Sequence, residues 1–360
     1  MRSAGGSELN SDKLWGAIAA PINSVYFDGD SLPLYADRLA RNEGAQLLRV
    51  RWYGDKTPAD HEVVFLELKT HHESWVGLNS NKRRVLILEK DMGRMIDLSG
   101  TTGTSEEGYD NDPLWSQELA REIVLGASPQ LKGSKLDTAV NLLLECRQVV
   151  VMKQLRPCVR TMYSRITFQS IPAGSQVEPP LRLTLDENVT FVDERRGPKG
   201  ASTSNWRLPD DADLDARGVA RLPCAVLEVK VTGEEQDGGD LPPFVKDLLA
   251  SGVLGDATKF SKCLSATAAF HYDKVSMLPY WAELPLFQSL FQDGSMGSEK
   301  ENKGWELESS PGNNDPVGAG TSMSLQPGSS QPKKRTVYSR ATKIEVSIGD
   351  IDITFICYSI

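Results

Sequence analysis

Four stretches of this chain place charged and apolar side chains on alternating residues, and that period-two pattern constrains the fold more than any other feature. They are QLLRVRWYG (46–54), EVVFLELKT (62–70), LRLTLD (181–186) and RLPCAVLEVKVT (221–232). A β-strand turns successive side chains to opposite faces, so residues i and i+2 share a face. Arg49 therefore shares a face with Arg51, Glu67 with Lys69, and Glu228 with Lys230. In LRLTLD, Arg182, Thr184 and Asp186 lie on one face and Leu181, Leu183 and Leu185 on the other. On a half-exposed sheet such a charged face simply meets water.

The signs of the charges favour a second reading. These faces carry mainly Arg and Lys, yet the chain holds 49 Asp and Glu against 40 Lys and Arg, a net charge of -9. Cations gathered against the overall charge suggest an anion site. Arg makes planar, bidentate contacts with phosphate oxygens, and Lys supplies a compact point charge. The expectation is a pocket of inward-pointing Arg and Lys on strands that binds triphosphate or polyphosphate. The acidic balance disfavours nucleic acid as a partner.

Several other chemistries are disfavoured by the sequence. No GxxxxGK[ST], GxSxG or HExxH motif occurs. The five cysteines are scattered, with no CxxC pair, which reads as reduced cytosolic thiols rather than a zinc site. No apolar run of about 18 residues is present, so no membrane span is expected in this chain, and residues 1–10 lack a signal-peptide core.

Further strands are expected at 23–28, within 76–88, and at 157–170. Helices are expected at 31–45, 114–125, 137–153, 243–251 and 259–272. A polar loop is expected at 100–114. The Gly/Ser/Pro-rich stretch 294–334 reads as a disordered linker. The domain reading is a disordered or atypical N-terminus (1–21), an α+β domain (22–290), a linker (291–336) and a tail (337–360) carrying one stray strand.

SVYFD (24–28), LYADRLARNEGAQLLRVRWYG (34–54), VFLELKTHHESWVG (64–77) and LRPCVRTMYSRITFQ (155–169) belong with LRLTLD (181–186), NWR (205–207), RLPCAVLEVK (221–230) and KFSKCLSATAAFHYDKVSMLPYW (259–281). In this order the sequence resembles the VTC family, the polyphosphate polymerase domain of the vacuolar transporter chaperone complex, within the triphosphate tunnel or CYTH-like superfamily. The resemblance implies a tunnel of antiparallel strands with flanking helices.

Carried over by position, the lining cations are Arg38, Arg49, Arg51, Lys69, Lys82, Arg165, Arg182, Lys259 and Lys262. Glu228 takes the place of the metal-binding glutamate and Tyr163 that of a nucleotide contact. Lys259 and Lys262 are expected on one helix face. The implied reaction transfers the ATP γ-phosphate to polyphosphate with Mn²⁺ or Mg²⁺. The implied partners are other vacuolar transporter chaperone subunits, and the implied location is the cytosolic side of a vacuole or acidocalcisome membrane. The alternatives are a non-catalytic polyphosphate-binding subunit and an inorganic triphosphatase. The family's first strand, with an F-x-R-x-T-x-K-Y-W type motif, is missing. VYSRATKIEV (337–346) is a loose echo of it, expected to be either a substitute strand or a chance match.

Overall fold

The protein is seen in a computed structural model that describes residues 19–73, 80–99, 115–169, 181–195, 206–208, 218–231, 243–252, 254–257, 259–291, 336–338 and 351–358. The polar loop at 100–114 and nearly all of the expected N-terminal and linker disorder lie outside these residues.

The chain opens with β1 (Ala20–Asp28), α1 (Pro33–Ala40), β2 (Gln46–Tyr53), β3 (Val63–Thr70) and β4 (Asn81–Leu88). A helical segment follows, with α2 (Met92–Ile96), α3 (Gln117–Ala127) and α4 (Gly133–Met152). Then come β5 (Arg156–Gln169), β6 (Leu181–Asp193), β7 (Val219–Arg221), β8 (Cys224–Val231), α5 (Pro243–Ala250) and β9 (Leu254–Asp256). The remaining elements are α6 (Lys262–Phe270), β10 (Met277–Pro279), α7 (Gln288–Phe291), β11 (Thr336–Tyr338) and β12 (Ile351–Tyr358).

The main sheet runs β4-β3-β2-β1-β5-β6-β8-β12-β9, with β7 on β6, and every ladder in it is antiparallel. The fold is α+β and tunnel-like, as the sequence pattern and resemblance imply.

One expectation about the tail is corrected. Its strand is not a stray one: β12 pairs with β8 along all eight residues, from Val231↔Ile351 to Cys224↔Tyr358. Nor does the start of the VYSRATKIEV echo enter the main sheet, because Val337 and Tyr338 pair in parallel with β10. Residues 339–346 lie outside the described residues. The apolar run Ile351–Tyr358 supplies the strand beside β8.

Alternation sorts the side chains of β1–β4 onto two faces. On the outer face Val25, Val50, Leu66 and Ile87 pack with Ile123 of α3 and with Leu143 and Val150 of α4. Arg83, on the same face, makes a bidentate contact of 2.6 Å per bond with Glu145 of α4. Trp52 meets Trp206 edge-on here, so both are packing residues. On the inner face Tyr26, Leu47, Phe191 and Val226 pack with Tyr35 and Leu39 of α1 and with Leu264 and Ala268 of α6. Each fully buried large side chain contributes about 1.5–3 kcal/mol. This second core fills one end of the concave face and leaves the charged residues at the other.

Asp28 and His271 are both buried at that packed end. Asp28 accepts backbone hydrogen bonds from Gly29, Leu34 and Tyr35, at the start of α1. Burial nevertheless raises its pKa to about 6. Burial, then the nearby Arg195 and Lys274 charges, lowers His271 to about 4, although Asp193 Oδ1 is 3.8 Å from its Nε2.

The two shifts act in opposite directions. His271 contributes about 3 kcal/mol that is complete above its unfolded pKa and lost as pH falls towards 4. Asp28 contributes a similar amount, about 3 kcal/mol, complete below its unfolded pKa and lost as pH rises through 6. They nearly cancel in the native chain. Asp28→Asn is therefore expected to lose stability on acidification from neutral pH, and His271→Gln to gain it, by urea unfolding. Parallel pH profiles for both variants and the wild type would contradict the assignment.

Candidate functional site

The inner face of β2 carries two guanidinium groups held by specific partners. Arg49 donates from Nε to Glu67 Oε2 at 2.6 Å and from Nη1 to the Tyr26 hydroxyl at 3.1 Å. Its Nη2 lies 2.5 Å from the same glutamate oxygen. Arg51 donates from Nε to Ser24 Oγ and from Nη2 to the Tyr163 hydroxyl, both at 3.0 Å. Both arginines are only 6% exposed. Arg49 thus has a carboxylate, whereas among the described residues Arg51 hydrogen-bonds only neutral hydroxyls, which fix this buried cation in place while its charge acts on Glu67 from beyond ion-pair distance.

A second cluster spans β5, β6, β8 and α6. Arg165 grips Asp186 through Nε at 2.5 Å and Nη2 at 2.7 Å, and Lys262 Nζ reaches the same carboxylate at 2.6 Å. Arg165 Nη2 also lies 3.7 Å from Glu228, while Lys230 Nζ is 3.1 Å from it. Thr184 Oγ1 donates to Glu228 at 3.4 Å. The Tyr163 ring has the Arg165 guanidinium 5.3 Å and the Lys262 ammonium 5.0 Å from its centroid. Burial opposes ionisation of Glu228, but Lys230 and Arg165 outweigh it and lower its pKa to about 2.

Lys69 links the two clusters. Burial, then the charges of Arg49 and Arg38, hold its ammonium pKa well below the usual lysine value, and Glu228 partly offsets them. Lys69 is on β3 and Glu228 on β8, five strand steps apart in the sheet order. On a flat sheet they would be about 24 Å apart, at about 4.8 Å per step. Their mutual influence requires the sheet to curl, so that the charged faces look at each other across an enclosed space.

The predicted residues do not all converge. Arg49, Arg51, Lys69, Tyr163, Arg165, Glu228 and Lys262 come together, and Arg38 of α1 adds its charge beside Lys69. Lys82 sits further out, 3.9 Å from Glu67. Arg182 is exposed, opposite Lys230 in the β6–β8 ladder.

Lys259 corrects the expectation of a shared helix face. Helix α6 starts at Lys262, with Ser261 as its cap accepting from the Leu264 N–H. Lys259 lies in the preceding turn at φ 63 and is exposed.

Sequence reasoning left out Glu67, Asp186, Ser24, Tyr26, Arg84 and Lys230 as site residues. The alternation alone could have found Glu67, Arg84 and Lys230, each two residues from a predicted ligand, and Asp186, four from Arg182 on the same face. Ser24 and Tyr26 looked like ordinary strand residues, and only cross-strand register reveals them opposite Arg51 and Arg49.

Among the described residues the assembled lining holds nine cations (Arg38, Arg49, Arg51, Lys69, Lys82, Arg84, Arg165, Lys230, Lys262) against three carboxylates (Glu67, Asp186, Glu228). Such an excess suits a polyanion. Among the described residues no group of three or more His, Cys, Asp or Glu could hold a metal by itself. Glu228 remains an ionised carboxylate facing the enclosed space, which suits a hard cation that takes its other oxygen ligands from phosphate and water. Cys146, Cys158, Cys224 and Cys263 are free thiols.

A family model described as VTC domain matches residues 9–271. Vacuolar transporter chaperone complex subunit 4 of Schizosaccharomyces pombe is 32% identical over 279 residues, covering 76% of this chain and 35% of that protein. Subunit 4 of Trypanosoma cruzi is 30% identical over 272 residues, covering 73% and 30%. Subunit 2 of Saccharomyces cerevisiae is 25% identical over 309 residues, covering 78% and 35%. The chain spans about a third of the length of the curated relatives it matches.

Proposed function

This chain belongs to the VTC domain family, and from that premise we propose that it is a polyphosphate polymerase acting inside its cationic tunnel. The observation that carries the reading is Lys69, a partly buried ammonium set among Arg49, Arg38 and Arg51, whose pKa is lowered by desolvation and then by those like charges. Packing cations against one another costs free energy that a bound polyanion returns.

In the proposed reaction a terminal oxygen of the polyphosphate chain attacks the γ-phosphorus of ATP. The bond to the bridging oxygen breaks, and ADP leaves. The lining aligns the two anions and neutralises the charge shared in transfer. Arg49, Arg51 and Lys69 act from one wall, and Arg165 and Lys262 from the other. Mn²⁺ or Mg²⁺, held by Glu228, would further neutralise the phosphate oxygens. No base is needed, because the attacking phosphate is already an anion.

Purified protein incubated with ATP and Mn²⁺ is expected to form long-chain polyphosphate. Tight polyphosphate binding without turnover would identify the accessory-subunit role instead, and phosphate release without polymer would identify a triphosphatase. Glu228→Gln is expected to lower metal-dependent turnover at least tenfold while changing polyphosphate affinity less; equal losses in both would remove Glu228 from the metal role.

As partners we propose the other subunits of a vacuolar transporter chaperone complex, at the cytosolic face of a vacuole or acidocalcisome. No helix among the described residues is long and apolar enough to cross a membrane.

A further inference from the structure

Beyond the charged cluster, the inner face of β2–β4 continues into a partly exposed aromatic patch. Tyr53 follows Arg51 by two residues on β2, and Phe65 precedes Glu67 by two on β3. Phe65 lies directly opposite Arg51 in the β2–β3 ladder. The Tyr53 and Phe65 rings meet edge to face, with centroids 5.4 Å apart and planes at 89°. The Arg84 guanidinium lies 5.6 Å from the Phe65 centroid while its Nε is 3.7 Å from Glu67 Oε1.

Exposure rises along this path. Glu67 and Arg51 are buried at 1% and 6%, whereas Tyr53 is 48% exposed. The patch therefore opens to solvent beyond Arg51 along β2 and β3.

An exposed Tyr53 packed on a half-buried Phe65 beside buried cations is unusual for a solvated sheet end. Large apolar side chains at such a position gain nothing from water. A planar π-face next to a phosphate-binding arginine suits a ligand with an aromatic head and a polyanionic tail. Cross-strand neighbours have Cβ atoms about 5 Å apart. A base resting on Tyr53 or Phe65 is thus one short spacer from phosphates at Arg51, and a ribose provides a spacer of that size.

We infer that Tyr53 and Phe65, with Arg84 stacked on Phe65, form a ledge at the tunnel mouth that stacks the base of a nucleoside triphosphate whose phosphates enter along Arg51. This rests on the triphosphate reading above and adds to it the place of the base. The ledge offers flat faces rather than a set of base-edge hydrogen bonds, so it holds adenine and guanine alike.

The test compares β,γ-imido-ATP with inorganic tripolyphosphate by calorimetry on the full chain, for wild type, Tyr53→Ala, Phe65→Ala and Phe65→Leu. Phe65→Leu keeps apolar bulk without the π-face. The alanine variants and Phe65→Leu are expected to weaken imido-ATP roughly tenfold, as loss of one stacking contact does. Tripolyphosphate affinity should stay within about twofold of wild type, which also shows that the variants are folded. β,γ-Imido-GTP should follow imido-ATP.

If tripolyphosphate binds and imido-ATP is unaffected by all three substitutions, the ledge is refuted while the triphosphate reading survives. Equal weakening of both ligands would also refute the ledge, because the effect would then belong to the phosphate site. If the wild type binds neither ligand, the triphosphate reading fails and the ledge with it.

Discussion

Lys69→Ala is expected to abolish polyphosphate synthesis and leave the fold as stable as before, or more so. Removing one donor from a preorganised charge-stabilising site costs roughly 10²–10³ in rate, and Lys69 on one wall is within reach of the charge of Glu228 on the other. Its stability cost should be small for a specific reason. The ammonium lies among Arg49, Arg38 and Arg51, and its removal relieves like-charge repulsion as well as desolvation.

Arg51→Ala should lose activity to a similar degree but with some loss of stability. It strips Ser24 and the buried Tyr163 hydroxyl of their donor, which costs about 1–3 kcal/mol per group left unsatisfied. The paired measurement is polymer formation alongside the thermal midpoint. A Lys69→Ala protein that keeps wild-type activity would remove the residue from the phosphate path. One that is inactive only because it is unfolded would contradict the charge argument.

Asp186→Asn is expected to give the largest stability loss of any single change in the site, about 3–5 kcal/mol, as when one partner of a buried ion pair is removed. The carboxylate is fully buried and is the shared partner of Arg165 and Lys262, one from a strand and one from a helix. Without it two cations that share one carboxylate oxygen are left beside each other near the Tyr163 ring. Lys262→Met in the same chain should recover part of the loss, because it removes one of the two stranded charges; strict additivity would show that they do not couple.

Added polyphosphate should stabilise Asp186→Asn more than it does the wild type, since a bound anion replaces the missing countercharge. Urea midpoints with and without polyphosphate measure this, and equal shifts in both proteins would mean that Asp186 does not stand in for the ligand. In this picture Asp186 and Glu67 are internal countercharges that keep the cations in position while the tunnel is free of polyanion.

The charged faces were legible because strand alternation is a local property. Arg49 with Arg51, and Glu228 with Lys230, follow from spacing alone, and the acidic overall charge made their sign informative. The pairing of those faces was not legible. Glu67 with Arg49 requires the β2–β3 register, and Lys69 near Glu228 requires the curl of the whole sheet.

Arg38 and Lys82 entered the candidate list only through the family resemblance, for no periodicity marks them. Lys259 was misplaced because KFSK reads as the first helical turn, whereas Ser261 caps the helix and leaves Lys259 outside it. The aromatic ledge was visible as letters, but nothing in a sequence distinguishes an exposed Tyr53 from a buried one.

The ladder between β8 and β12 has a kinetic consequence. It joins Val231 to Ile351 and Cys224 to Tyr358, so closing it spans over a hundred residues of chain. The entropy of closing a loop of that length is about 4 kcal/mol on the logarithmic scale, which must be met before any of its hydrogen bonds form. Hairpins such as β2–β3 close over far shorter loops and are expected to form first. During that interval the strand bearing Glu228 keeps an unpaired edge, open to any extended segment that reaches it. The wall of the tunnel that carries its metal candidate is thus sealed late, as is the β1–β5 ladder, whose partners lie as far apart in the sequence, and until then it is open to pairing with another chain.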